Sequence, residues 1–315
     1  MIIKIILLII GFVMLIKGAD VLVDGASSTA LNFKISKLLI GLTIVAFGTS
    51  APELAVSISA RIAHSDNIVI GNVIGSSIFN TLLILGISSL IRPIKVKDNT
   101  IKKELPMQLI LSTLLVVVIM DITLDGTLTN LITRSDALAI TLFFLIFIYY
   151  LIAVAKTKSL FNDKAPYKLG KSLAFILVGL VSLIYGSKLV VESSTYIASS
   201  LGISDRVIAL TIVAFGTSLP ELITSITASI KDEQELLVGN IIGSNIFNIC
   251  IVLGVPVAIF GTIEANGFTI IDIFIFILSA FLLYVFSKTG KVISKKEGLF
   301  MIAIFVIYYT LVFTI

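Results

Sequence analysis

The chain has 315 residues, of which 57% are hydrophobic and 13% charged, and its mean hydropathy is +1.13. A water-soluble globule of that composition would lack the polar surface to cover itself, so the solvent is lipid. The formal charge of +4 carries no basic cluster suited to nucleic acid, and the single cysteine (Cys250) and single histidine (His64) exclude an intrachain disulfide and a His/Cys metal site.

Apolar runs long enough to cross about 30 Å of hydrocarbon recur along the whole chain. They predict an all-α membrane protein of ten transmembrane helices, over 2–30, 38–61, 67–90, 105–123, 136–155, 171–199, 206–230, 236–260, 268–287 and 298–314. The first run, with Lys4 at its start, has the composition of a signal peptide, but it has an internal counterpart and is expected to remain as a span. No long hydrophilic segment is left over for a soluble catalytic or regulatory domain. His64 is expected in a solvated loop, and Cys250 as a buried thiol.

Alternating spans put Lys34, Lys37, Arg92, Lys95, Lys97, Lys102, Lys103, Lys156, Lys158, Lys164, Lys168, Lys171, Lys231, Lys288, Lys291, Lys295 and Lys296 on one side. The other side holds only Lys4, Arg61, Arg134 and Arg206. Cytoplasmic loops carry the excess of Lys and Arg, so both termini are expected outside, in a multi-pass protein of the cell membrane.

An offset of 168 residues lays Leu42 to Glu53 (LTIVAFGTSAPE) on Leu210 to Glu221 (LTIVAFGTSLPE), and Gly71 to Asn80 (GNVIGSSIFN) on Gly239 to Asn248 (GNIIGSNIFN). The same offset matches Gly18 with Gly186 and Asp24 with Glu192. The expected organisation is a five-span repeat over 1–155, a short linker over 156–170 and a second repeat over 171–315. Five is odd, so the second copy is inverted, an arrangement typical of secondary transporters with a midplane site where the copies meet.

Spans 2 and 7 are expected to break. Pro52 and Pro220 block the helical bond to the carbonyls of Gly48 and Gly216, and irregular backbone at membrane depth is tolerated where it lines a polar cavity. The carbonyls of Ala46, Thr49, Ala214 and Thr217 are then free to turn toward an ion. Glu53 and Glu221 lie mid-span, with no Lys or Arg in the central parts of spans 2, 3, 7 or 8 to neutralise them. A carboxylate there is costly, and a bound cation is the obvious compensation. Asn72, Ser76 and Asn80 share one helical face, as do Asn240, Ser244 and Asn248. Carboxylate, hydroxyl, amide and main-chain oxygens, without sulfur or imidazole, suit hard cations such as sodium and calcium.

These blocks closely resemble the two alpha-repeats of the calcium/cation antiporter superfamily, in its sodium/calcium exchanger type, and the resemblance runs over all ten spans. It implies exchange of three sodium ions for one calcium, an electrogenic cycle, and sliding of spans 1 and 6 over the other eight. Matched position by position, Glu53, Glu221, Thr49 and Thr217 look like calcium ligands. Ala46, Ser50, Ser76, Ala214, Ser218 and Ser244 look like sodium ligands, and Asn80 and Asn248 like the middle positions. Potassium-dependent relatives resemble a pattern with an acid in place of Asn248, so potassium independence is expected. The linker is too short for the calcium-sensing domains of animal exchangers.

The alternative within transport is a calcium/proton antiporter. A channel would use the two Glu residues as a selectivity ring but has no need of an inverted repeat. An intramembrane hydrolase would need a nucleophile and base beside the carboxylates, so no enzyme activity is expected. No cofactor and no obligate protein partner are implied; sodium, calcium and the bilayer are the expected partners. For Asp20, Asp24, Lys17, Lys188 and Glu192, interfacial snorkelling and a gating role both stand open.

Overall fold

The computed structural model describes residues 1–126, 128–156, 164–202, 214–265 and 268–314. Among the described residues the fold is all-α apart from four two-residue strands. In chain order the main helices are α1 (Ile2–Phe33), α2 (Lys37–Thr49), α3 (Ala51–Ile62), α4 (Asp66–Ile91), α5 (Glu104–Val118) and α6 (Arg134–Lys156). Then follow α7 (Leu169–Ser200), α8 (Leu219–Ile230), α9 (Gln234–Phe260), α10 (Ile270–Lys288) and α11 (Lys295–Thr314). Among the described residues, α1, α4, α6, α7, α9 and α10 are each long and apolar enough to cross a membrane, and α2 with α3 makes a seventh if the bent pair is one span. The start of the expected span 7, with Arg206 and Leu210 to Val213, and Lys158 of the linker lie outside the described residues.

The repeat is visible in the backbone. Helices α3 and α8 start and stop 168 residues apart, and Ser50 and Ser218 before them share one conformation (φ −85°, ψ 8° and φ −87°, ψ 7°). Left-handed turns recur at His64 and Asp232 (φ 54° and 62°) and at Lys34 and Gly202 (φ 55° and 80°). A π-helical turn interrupts α4 at Phe79–Ile84 and α9 at Asn248–Leu253, and another lies within α2 at Gly41–Val45.

Span 4 is shorter than expected: α5 ends at Val118, not near 123. Beyond it Asp121 accepts from the Leu131 amide at 2.8 Å and Asn130 from the Ile122 amide at 2.8 Å, so side-chain oxygens capture donors in a turn of their own. The strands, which sequence periodicity does not reveal, are β1 (Ile94–Lys95), β2 (Leu131–Ile132), β3 (Ile263–Glu264) and β4 (Val292–Ile293). They pair antiparallel as β1 with β4 and β2 with β3.

The chain forms two compact units, each drawing on both sequence repeats: residues 1–52 with 157–240, and 53–156 with 241–315. In the first, α1 and α7, 32 residues each, pack along their length. A Cβ on Gly18 would lie 2.8 Å from the Cβ of Ser182, and one on Gly186 would lie 3.0 Å from the Cβ of Met14, so glycine is what allows this approach. The Ser182 hydroxyl then reaches the Met14 carbonyl at 2.8 Å. In the second unit, buried Leu, Ile and Phe side chains of α4, α5, α6, α10 and α11, such as Phe147 and Phe276, form the core. Cys250 is buried there, and His64 is exposed at the end of α3.

Candidate functional site

In the first unit the site is built on a helix break. After Thr49 the chain bends by 43° at Ser50 before α3 begins. Pro52, like Pro220 in α8, occupies the first helical turn, where no amide donor is needed. The carbonyl of Gly216, which Pro220 leaves without its helical donor, accepts from the Ser187 hydroxyl of α7 at 2.6 Å. The Ala46 carbonyl accepts from the Ser50 amide at 3.0 Å and from Thr49 Oγ1 at 3.3 Å.

Glu221, in the first turn of α8, is 0% exposed. Its Oε1 accepts from the Ser50 hydroxyl at 2.9 Å, and its Oε2 has no hydrogen-bond partner among the described residues. Thr49 Oγ1 lies 3.3 Å from Asn240 Oδ1, and Asn240 Nδ2 donates to Ser225 Oγ at 3.1 Å. Thr49 and Ser218 are buried and Thr217 half-buried. Of Ala214 only the backbone is described, in a short helical turn at Ala214–Gly216.

In the second unit Glu53 is 1% exposed. Its backbone carbonyl accepts from Asn72 Nδ2 at 2.9 Å, and the same amide donates to Ser57 Oγ at 3.0 Å. This Asn72 to Ser57 bond is the repeat mate of the Asn240 to Ser225 bond. Along α4 and α9, Ser76, Asn80, Ser244 and Asn248 are buried. Asn80 Nδ2 donates to Asn245 Oδ1 at 3.2 Å, and Asn245 Nδ2 donates to Thr81 Oγ1 at 3.0 Å. Ser244 Oγ and both polar atoms of Asn248 have no hydrogen-bond partner among the described residues. Buried polar groups are almost always bonded, so such a cluster marks a place that a ligand or water completes. The π-helical turns begin at Phe79 and Asn248, where the irregularity aims amide side chains that a regular ladder would carry elsewhere.

Sequence reasoning left out Ser57, Ser225 and Thr81 as functional partners. The signal for the first two was present, since a serine follows each Glu by four residues in both copies. Thr81 has no repeat-related hydroxyl, its counterpart being Ile249, and only packing reveals it.

The model of the family described as sodium/calcium exchanger protein matches residues 3–153 and 171–314. The chain belongs to the sodium/calcium exchanger protein family. It is 30% identical to the sodium/calcium exchanger MaX1 of Methanosarcina acetivorans, over 98% of each chain. It is 38% identical to the inner membrane protein YrbG of Escherichia coli, over 80% of this chain and 79% of that one. A solved structure of the sodium-calcium exchanger NCX_Mj, soaked with 2.5 mM Na+ and 0.1 mM Ca2+, superposes with a TM-score of 0.84 at 34% identity, over 98% of both chains. This exchanger-family chain is therefore a multi-pass membrane protein and a cation antiporter.

Proposed function

We propose that the protein exchanges sodium for calcium across the cell membrane by alternating access, three sodium ions against one calcium. The reading takes the chain as ten spans in two inverted five-span repeats, 1–155 and 171–315, joined by a linker over 156–170, with both termini outside. The observation that carries it is the matched pair of mid-span carboxylates, Glu53 and Glu221. Each is buried, each follows a helix break, and each stands beside the same Asn-to-Ser hydrogen bond.

In this reading Glu53, Glu221, Thr49 and Thr217 hold calcium. Ala46, Ser50, Ser76, Ala214, Ser218 and Ser244 hold sodium, with Asn80 and Asn248 at the middle positions. Two carboxylates neutralise one calcium ion, whereas three sodium ions leave one positive charge, so only the sodium-loaded crossing responds to membrane potential. Among the described residues the second oxygen of Glu221 and the side-chain oxygen of Asn248 have no hydrogen-bond partner, and they support the reading as acceptors open to a cation or its hydration. Two Asn and no third carboxylate support independence from potassium. Membership of the sodium/calcium exchanger family favours sodium over protons as the counter-ion.

The test is calcium uptake into vesicles reconstituted with the full chain. An outward sodium gradient should drive uptake without potassium, and an imposed potential should change its rate. Uptake driven by a pH gradient without sodium, or independent of voltage, overturns the coupling.

A further inference from the structure

One cluster of charges in the first unit lies apart from the Glu and Asn residues of the transport site. Lys231, in the turn after α8, places its Nζ 2.7 Å from Asp24 Oδ1 and 3.3 Å from Asp20 Oδ1, and donates to the Asp20 carbonyl at 3.0 Å. Two residues on, Glu233 accepts from Lys37 Nζ at 2.7 and 2.8 Å and from the Ser27 hydroxyl of α1 at 2.8 Å. The left-handed turn at Asp232 separates the two contacts and points both toward α1. Asp20 and Asp24 are one helical turn apart and repel each other unless a cation joins them.

Among the described residues the repeat-related end lacks this arrangement. The offset of 168 carries Asp20 to Lys188, Asp24 to Glu192 and Ser27 to Thr195, but Lys231 back to Ala63 and Glu233 back to Ser65. On α7, Lys188 and Glu192 pair with one another at 3.8 Å, with both side chains more than half exposed. One copy ties its long helix to a turn by ions, and the other carries neither the Lys nor the Glu that would do so.

We propose that Lys231 is a positioning residue of the transport cycle, an electrostatic latch that holds α1 through Asp20 and Asp24 and makes the two access states unequal. Glycines let α1 lie close against α7, and the ion pairs of Lys231 add a polar tie from α1 to the turn after α8. Sequence inversion alone would make the two access states mirror each other. A latch at one end favours the state in which it is closed. Lys231 is 27% exposed and its partners 40% and 41%, so water screens the pairs and the bias is modest, about fivefold.

The inference rests on the alternating-access reading, and its test separates the two. Hydrogen–deuterium exchange on the purified full chain needs no transport. Lys231→Ala and Asp24→Asn should each speed exchange over 20–33 and 231–234 and leave 186–200 unchanged. Lys231→Arg and the swap Lys231→Glu with Asp24→Lys should restore protection. In vesicles, Lys231→Ala should move the calcium KM by about fivefold in opposite directions at the two membrane faces. Exchange as in the unaltered chain, or KM values that move together at both faces, overturns the latch. Absence of sodium-driven uptake in the unaltered chain would overturn the function reading alone.

Discussion

Asn80 and Asn248 are the same residue in the same motif, both fully buried, yet Asn80 has a side-chain donor bond and Asn248 has none among the described residues. The ten-residue blocks that end in them differ at two positions, Val73 against Ile241 and Ser77 against Asn245. Ser77 is short and turns its hydroxyl back to the Val73 carbonyl at 2.8 Å. Asn245 is longer, spans to Asn80 and Thr81, and gives Asn80 its donor bond, while Asn80 Oδ1 has no partner among the described residues. The exchange of Ser77 for Asn245 therefore decides which copy has its amide donor bonded. Near-identical sequence repeats need not be equivalent in their hydrogen bonding.

The comparison can be tested from its largest consequence downward. Glu53→Gln and Glu221→Gln should each lower sodium-driven calcium uptake by about a hundredfold, because a divalent ion then faces one carboxylate. Normal uptake in either would break the symmetry of the copies at its root. Asn248→Leu should lower transport by about tenfold while leaving thermal stability unchanged or raised by about 1 kcal/mol, since it removes buried polar atoms that have no partner. A large loss of stability would mean that Asn248 is structural. Asn245→Ala should do the reverse: a cost of about 2 kcal/mol in unfolding, from two lost hydrogen bonds and the groups left behind.

The smallest contrast concerns the strand pairs. Beside β1 and β4, the Lys291 ammonium hydrogen-bonds Asp98 at 2.8 Å and holds its carboxyl below the usual range. A depressed folded-state pKa contributes stability above the unfolded value and loses it as pH falls through the folded one. Lys291→Ala should therefore melt slightly below the unaltered chain at pH 7, with the gap closing as pH falls through the folded-state value of Asp98. A gap that persists in acid would show that Lys291 acts through packing.

Much of this architecture is legible in the sequence, because lipid imposes length and apolarity on spans and because the repeat doubles every signal. The break before Glu53 follows from Gly48, Ser50 and Pro52, and the matched turns at His64 and Asp232 follow the same offset. What stays hidden depends on register across distant segments. The strand pairs join residues about 130 to 200 positions apart in runs too short for periodicity to declare. The π-helical turns at Phe79 and Asn248 arise from packing, and no residue type specifies them. The ion pairs of Asp20 and Asp24 required knowing where the turn at Lys231 falls.

The crossed strand pairs carry a further consequence. β1, from the first copy, finds its partner in β4 of the second, and β2 of the first finds its partner in β3 of the second. Half a chain made alone would end in two orphan edges with nothing to zip against, and its long helix would lack the glycine-matched counterpart it lies on. The two copies are clasped like interlaced fingers. A split version would need both halves present together to complete these strand pairs.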